Sequence, residues 1–171
     1  MFDIISWIFG IGAMASLFIT YQQNERKNLI LYKMCADLCW VFHYLCLGAY
    51  GGAIPNFVGI FRELVFVRRG KARWAESVLW PIVFICANFL LGIRTFEAPI
   101  NLLPICASAL VTVSLWLKNP LLTKLLTIPV CTSFLIYDVY AGSWIGVINE
   151  SFTILSILLS FVKNIKKEKK Q

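Results

Sequence analysis

Four ionisable side chains, Lys33, Asp37, Arg62 and Glu63, stand inside apolar runs. A charge buried in such surroundings needs a partner or a water-filled cavity. Lys33 and Asp37 are four residues apart, which sets them on one face of a helix. Arg62 and Glu63 close the stretch "YGGAIPNFVGIFRELVF" at 50–66. If the chain turns near residue 50, Asp37 falls opposite Glu63 and one residue from Arg62. This spacing predicts an Asp37–Arg62 ion pair, with Lys33 and Glu63 completing a neutral cluster. Two roles fit: a gate that opens as the pair breaks, or a structural clasp with Lys33 and Arg62 snorkelling to a polar surface.

A second group is uncharged or singly charged. Asn56 and Asn149 are amides able to donate to and accept from a polar solute. Glu150 follows Asn149 about 100° further round a helix, as a proton or cation site or the partner of another residue. Asn149, Thr153, Ser156 and Ser160 form one stripe; Ser108 and Thr112, and Ser16 and Thr20, form two shorter ones. Hydroxyl stripes line a polar path or let helices pack closely, and close packing is the simpler reading.

Cys35, Cys39 and His43 share a helical spacing that could contribute to a copper or haem-type centre. One helix seldom completes a coordination shell, so small core cysteines and a hydrogen-bonded histidine are expected, with no metal and no cofactor. All six cysteines lie in apolar runs, which argues against a disulfide scaffold. "GIGAMA" at 10–15 matches a dinucleotide-binding glycine pattern, but no βαβ unit surrounds it. With a single histidine and no Ser/His/Asp set that the spacing unites, a hydrolase is not expected, and the chain does not read as an enzyme.

The elements that would position these residues are membrane helices. Of the 171 residues, 59% are hydrophobic and only 15% charged, too apolar a balance for a soluble domain. Seven spans are predicted, at 4–21, 28–47, 52–67, 74–93, 99–117, 121–140 and 144–162. The Gly-Gly-Pro run at the start of the third sets the turn and places Pro55 in a first helical turn. "MFDIISW" lacks the basic flank and cleavage site of a signal peptide, so the first span is expected to be retained.

Thirteen of the sixteen Lys and Arg residues then fall on one side: Arg26, Lys27, Arg68, Arg69, Lys71, Arg73, Lys118, Lys124, Lys163, Lys166, Lys167, Lys169 and Lys170. Only Arg94 lies on the other. Basic loops stay in the cytoplasm, which puts the N-terminus outside and the C-terminus inside. The net charge of +7 is therefore a topology signal and not the mark of a nucleic-acid partner. The "IKKEKKQ" tail reads as solvated, with contact to anionic lipid as the alternative.

Internal repetition organises the spans further. "ASLFIT" (15–20) matches "ASALVT" (107–112) at an offset of 92, and "YLCLGAYGGAIPN" (44–56) lies over "YDVYAGSWIGVIN" (137–149) at 93. The second register pairs Tyr44 with Tyr137 and Asn56 with Asn149. Residues 1–70 and 98–163 then form two triple-helix repeats in parallel orientation, 71–97 is a linker helix, and 164–171 is a basic tail.

This 3+1+3 arrangement resembles the MtN3/SWEET/PQ-loop superfamily of small transporters. More closely, the chain resembles the YgjV-type bacterial inner-membrane proteins. The resemblance rests on "HYLCLGAY" followed by Arg62, on "NLLPI" at 101–105, and on "YAGS" with "ESF" at 140–143 and 150–152. Span 1 ends in "TYQQNERK" without the Pro-Gln pair of PQ-loop proteins, and prolines suited to hinging, Pro104 and Pro129, occur only in the second repeat. The resemblance implies that Asn56 and Asn149 face one another across a central cavity. It implies a multi-pass protein and, in some relatives, self-association. The function expected is passage of a small polar solute by alternating access, down a gradient since the chain has no ATP motif, with Glu150 or Asp37 as the residues that would couple it to protons. A receptor or scaffold on the same fold is the competing expectation.

Overall fold

The computed structural model describes the backbone of residues 2–22, 25–94, 96–117 and 120–168, and the side chains within them except those of 2–3, 21–22, 26, 120–121, 123–124 and 159–168. The side chains of Arg26, Lys124, Ser160, Lys163, Lys166 and Lys167, and all of Lys118, Lys169 and Lys170, lie outside the described residues. Among the described residues the chain is all-helical, with seven α-helices and no strand. They are α1 (Phe2–Gln22), α2 (Arg26–Cys46), α3 (Tyr50–Phe66), α4 (Leu79–Arg94), α5 (Leu102–Leu117), α6 (Pro120–Ala141) and α7 (Trp144–Glu168).

These helices carry large apolar side chains outward: Ile4, Phe18, Leu90 and Phe152 are each about two-thirds exposed. Such a surface suits lipid, not water. Lys27–Cys46 and Pro99–Leu117 are long and apolar enough to cross a membrane, with mean hydropathy 1.3 and 1.9. Shorter apolar runs occupy Ile4–Thr20, Leu79–Arg94, Leu125–Ala141 and Trp144–Leu158; α3, which holds Arg62 and Glu63, is in neither set.

Neighbours follow the chain and then close on themselves. α1 packs on α2, α2 on α3, α3 on α5, α5 on α6, α6 on α7, and α7 returns to α1, while α4 lies against α3 and α5. The end that carries the N-terminus and the α2–α3, α4–α5 and α6–α7 connections is called here the N-terminal end.

Most helix ends fall within three residues of the expected spans, although α7 runs on to Glu168; two further features differ from the sequence reading, each for a local reason. α4 begins at Leu79 and not at 74, because Arg73–Glu76 forms a 3-10 turn. The Glu76 carboxylate holds that turn by accepting the Gly70 N–H at 2.5 Å and pairing with Arg69 at 3.4 Å. The α2–α3 turn is made by Gly48, whose φ of 69° suits a residue without Cβ, and not by Gly51 and Gly52. Those two glycines are buried within α3, and Pro55 stands inside the helix and not in its first turn. The α6–α7 turn repeats the device at Gly142, φ 70°.

Two apolar clusters fill the interior. Ala13, Trp40, Tyr44, Ala53, Tyr137 and Ile145 pack toward the N-terminal end. Ile30, Val58, Val65, Phe66, Ala75 and Phe84 pack toward the other, where the Arg69 guanidinium lies 3.5 Å from the centre of the Trp116 ring. α4 approaches α5 closely at Gly92, where an added Cβ would overlap the Ile105 side chain. Gly92→Ala is therefore expected to cost about 1–3 kcal/mol of stability, and Ile105→Val in the same chain to recover part of it, read by reversible unfolding in detergent.

Candidate functional site

The predicted charge cluster forms, with its pairs arranged differently. Lys33 Nζ lies 2.9 Å from Asp37 Oδ1 and 3.1 Å from Glu63 Oε1, so the ammonium joins both carboxylates. Arg62 Nη2 meets Glu63 Oε1 at 2.9 Å, whereas the expected Asp37–Arg62 contact is a longer 3.8 Å. The hairpin arithmetic places the residues at equal depth. Which acid each base prefers is decided by rotamers and by helices further along the chain. Arg62 Nη1 donates to Thr112 Oγ1 at 3.1 Å and lies 3.4 Å from Ser108 Oγ, which tilts its guanidinium toward α5. Asn88 on α4 donates to Ser108 Oγ at 2.9 Å. Asp37, Arg62, Glu63 and Asn88 are each 3% exposed or less, so this network is sealed inside α2, α3, α4 and α5. Gly59 gives it room, since a Cβ there would lie 2.5 Å from Asp37 Oδ2.

The polar residues of α3 and α7 are engaged locally. Asn56 is half-buried and donates to the Gly52 carbonyl of its own helix at 2.8 Å. Asn149 is 7% exposed and donates to Glu150 Oε1 at 2.9 Å. The Cys131 thiol on α6 lies beside the Glu150 carboxylate. Among the described residues no hydrogen bond joins Asn56 to Asn149. The hydroxyl stripes spend themselves on their own helices: Thr20 donates to Ser16 O at 2.8 Å, Thr112 to Ser108 O at 2.8 Å and Thr153 to Asn149 O at 2.9 Å.

A third constellation, at the N-terminal end, corrects the expectation that no Ser/His/Asp set can assemble. The His43 ring lies between α1 and the α6–α7 turn. Its Nδ1 is 2.8 Å from the Ser6 carbonyl oxygen and 3.0 Å from Ser6 Oγ, and its Nε2 is 2.8 Å from Ser143 Oγ. The Ser143 hydroxyl also accepts the Gly146 N–H at 3.2 Å and contacts the Asp138 carboxyl. Tyr44 on α2 donates to Asp138 Oδ1 at 2.7 Å, and Gly52 N on α3 donates to Tyr137 OH at 2.9 Å. The Tyr44 and Tyr137 rings meet edge to face at 6.1 Å. Ser6, His43, Asp138 and Ser143 are each at most 2% exposed. Both His43 ring nitrogens are so occupied, and along the Cys35–Cys39–His43 stripe of α2 Cys35 is exposed. A cavity of about 260 Å³ reaches this chain, lined in part by Ser6, Trp7, His43 and Trp144.

Sequence reasoning missed Ser6, Tyr44's partner Asp138, and Ser143, because they lie 37 to 100 residues from the groups they bond. One signal was present. The two turns are superimposable by chain position: Ala49 N bonds Tyr44 O at 2.9 Å, and Ser143 N bonds Asp138 O at 2.9 Å. This register is offset by 94, one residue more than the sequence alignment used. It pairs Gly48 with Gly142, Gly52 with Gly146 and Tyr44 with Asp138, and it sets Asn56 against Glu150 in place of Asn149.

The model of the Imp-YgjV family, described as a bacterial inner membrane protein, matches residues 4–168. No curated protein and no solved structure matches the chain. A family model spanning nearly the whole chain joins the all-helical architecture and the lipid-suited surface: the chain belongs to the Imp-YgjV family of bacterial inner membrane proteins.

Proposed function

We propose that the chain crosses the inner membrane seven times and carries a small polar solute by alternating access between α1–α3 and α5–α7, with α4 as their link. The N-terminus is outside and the C-terminus cytoplasmic, as the basic residues require. The halves are parallel repeats, and the relation to the MtN3/SWEET/PQ-loop superfamily belongs to this reading. The matching turns at Gly48 and Gly142, the matched Thr20 and Thr112 hydrogen bonds, and the reciprocal contacts of α1 with α7 and of α3 with α5 support it.

The observation that carries the reading is a clasp of buried hydrogen bonds between the halves. Tyr44 holds Asp138, Gly52 holds Tyr137, and His43 holds Ser143, all at the N-terminal end. One helical turn deeper, on α3 and α7, stand Asn56, Asn149 and Glu150. A separable polar contact above a group of amides and a carboxylate is the layout of a gate over a solute site. The Lys33–Asp37–Arg62–Glu63 cluster braces α2 and α3 against α5, a clasp within which a pair could also switch. No enzymatic activity is proposed: in the Ser/His/Asp set the serine stands between the base and the acid, whereas a catalytic triad places the base between the serine and the acid. The alternative, a receptor or scaffold without transport, draws on the cavity that ends at His43.

The test is thermal unfolding of the detergent-purified chain against sugars, nucleosides, vitamins and amino acids, followed by flux in liposomes. A ligand at 100 times its Kd adds about 2.7 kcal/mol to stability. We expect a polar-solute shift that is lost in Asn149→Ala and Glu150→Ala and weakened in Asn56→Ala, with flux of the same solute. Binding without flux would establish the receptor instead.

A further inference from the structure

We propose that the His43–Ser143–Asp138 chain is a proton-binding site that holds one exchangeable proton and, through it, keeps the N-terminal end of the bundle closed. The inference stands whether or not the chain carries a solute.

Hydrogen-bond donors along this chain are one too few. The Ser6 carbonyl oxygen can only accept, so the hydrogen it shares with His43 at 2.8 Å sits on Nδ1. A neutral ring then offers Nε2 as an acceptor, and the Ser143 hydroxyl donates its one proton there. Nothing is left on Ser143 to donate to Asp138. Asp138 Oδ1 receives Tyr44 OH, and Oδ2 is buried without a hydrogen-bond partner among the described residues. A Cβ on Gly146 would fall against Asp138 Oδ2 and 2.6 Å from Ser143 Oγ, so both oxygens face one small space.

The titratable groups facing this chain supply no counter-charge. Tyr44 comes from α2 and Glu150 from α7, while Tyr137 stands beside Asp138 on α6 with Tyr140 and Glu97 near its ring. Among the described residues α1 contributes Ser6, the side chain of Asp3 lying outside them, and no Lys or Arg is paired with Asp138. Lys33 is the cation that Glu150 senses, and its ammonium is already shared by Asp37 and Glu63. An ionised Asp138 beside a neutral His43 would be a bare anion in a dry interior, a costly state.

One added proton resolves the count in two equivalent ways. On Asp138 Oδ2, it gives a neutral carboxyl that donates to Ser143 Oγ, which still donates to His43. On His43 Nε2, it gives an imidazolium that donates to Ser143 Oγ, whose own proton turns to Asp138 Oδ2. Two protons stepping along the hydrogen bonds, one from Asp138 Oδ2 to Ser143 Oγ and one from Ser143 Oγ to His43 Nε2, convert the first form to the second, and the cavity beside Ser6 and His43 supplies a path for exchange. Loss of that proton leaves a buried carboxylate that demands water, and water enters by parting Tyr44 from Asp138.

His43 is the only histidine, so nitrogen-15 histidine labelling of the full chain in micelles gives one imidazole signal. Infrared difference spectra against Asp138→Asn read the carboxyl. At about pH 7.5, where an ordinary histidine and aspartate are both deprotonated, we expect one proton. It will appear as a neutral Nδ1–H ring with a carboxylic-acid band absent from D138N, or as an imidazolium with a carboxylate. A neutral ring with an ionised Asp138 overturns the proposal, and so does a second proton.

The closure is read separately by unfolding against pH. Above about pH 7.5 the unfolded chain has essentially lost its proton from both groups. A folded state that keeps one binds more protons than the unfolded state, and its stability falls as pH rises. The slope approaches tenfold in the folding constant per pH unit. Asp138→Asn keeps an acceptor for Tyr44 and a donor for Ser143 without the titration. It is expected to lose that slope, and equal slopes in the two proteins sink the idea.

Discussion

Replacing Arg62 with methionine is expected to destabilise the folded chain by about 3–5 kcal/mol, the usual cost of stranding one partner of a buried ion network. The cluster holds two bases and two acids, all but Lys33 essentially inaccessible. Without the guanidinium, Lys33 alone must serve Asp37 and Glu63, at 2.9 and 3.1 Å. Ser108 and Thr112 also lose the group that ties α5 to α3. The charge imbalance and the lost hydrogen bonds are separable. Glu63→Gln in the Arg62→Met chain restores neutrality, leaving the Lys33–Asp37 pair intact, and is expected to recover more than half of the loss. The cycle of two single variants and the double, each unfolded reversibly in mixed detergent, gives the coupling directly. A loss under 1 kcal/mol for Arg62→Met, or no recovery in the double variant, would show a cluster that water or a spare proton already compensates. That outcome would favour the switching role over the brace.

The same cluster shows what the sequence could and could not convey. Lys33, Asp37, Arg62 and Glu63 were legible because a short turn fixes depth along a hairpin and a helix fixes faces. Both rules are local. Asn88, Ser108 and Thr112 complete the network from helices whose placement depends on how α4 and α5 dock, and no spacing within α3 encodes that. The start of α4 was misread because hydrophobicity continues through Trp74 and Ala75, while the backbone is turned by the Glu76 carboxylate. Pro55 was read as a helix start because glycines precede it, yet those glycines serve packing. His43 was assigned a hydrogen-bonded role without its partners, for they come from α1 and from the α6–α7 turn. The offset of 94 between the two turns was within reach. The Gly52–Gly146 correspondence was hidden by identities at 93, such as tyrosine over tyrosine, which side-chain matching prefers and backbone geometry does not.

Gly52→Ala is expected to open the N-terminal end. Gly52 stands at a close approach of the two halves: an added Cβ would lie 2.8 Å from Tyr137 Cε1 and 2.9 Å from Tyr44 Cδ1. Both distances are shorter than carbon atoms tolerate. The rings cannot turn aside freely, because Tyr44 is held by Asp138 and Tyr137 by the Gly52 N–H itself. The strain is therefore placed on the clasp. Overpacking of this kind costs about 1–3 kcal/mol, and if it falls only on the closed arrangement it moves the closed–open balance about 5–150-fold. The readout is a cysteine at Asn149, in a chain whose six native cysteines are alanine, labelled from the N-terminal side by a membrane-impermeant thiol reagent. The parent is expected to label slowly, since Asn149 is 7% exposed, and the Gly52→Ala chain to label faster by a factor within that range. Gly12→Ala is the control, as its Cβ would meet only Cys39 Sγ at an ordinary 3.6 Å, and that cysteine is already alanine in this background. If Gly52→Ala lowers stability but leaves the labelling rate unchanged, the tyrosine clasp is a packing feature and not a gate. A rate increase shared by Gly12→Ala would point instead to general loosening of the bundle. Acceleration confined to Gly52→Ala would locate the moving contact at Tyr44, Asp138 and Tyr137, directly above the amides and carboxylate that would receive a solute.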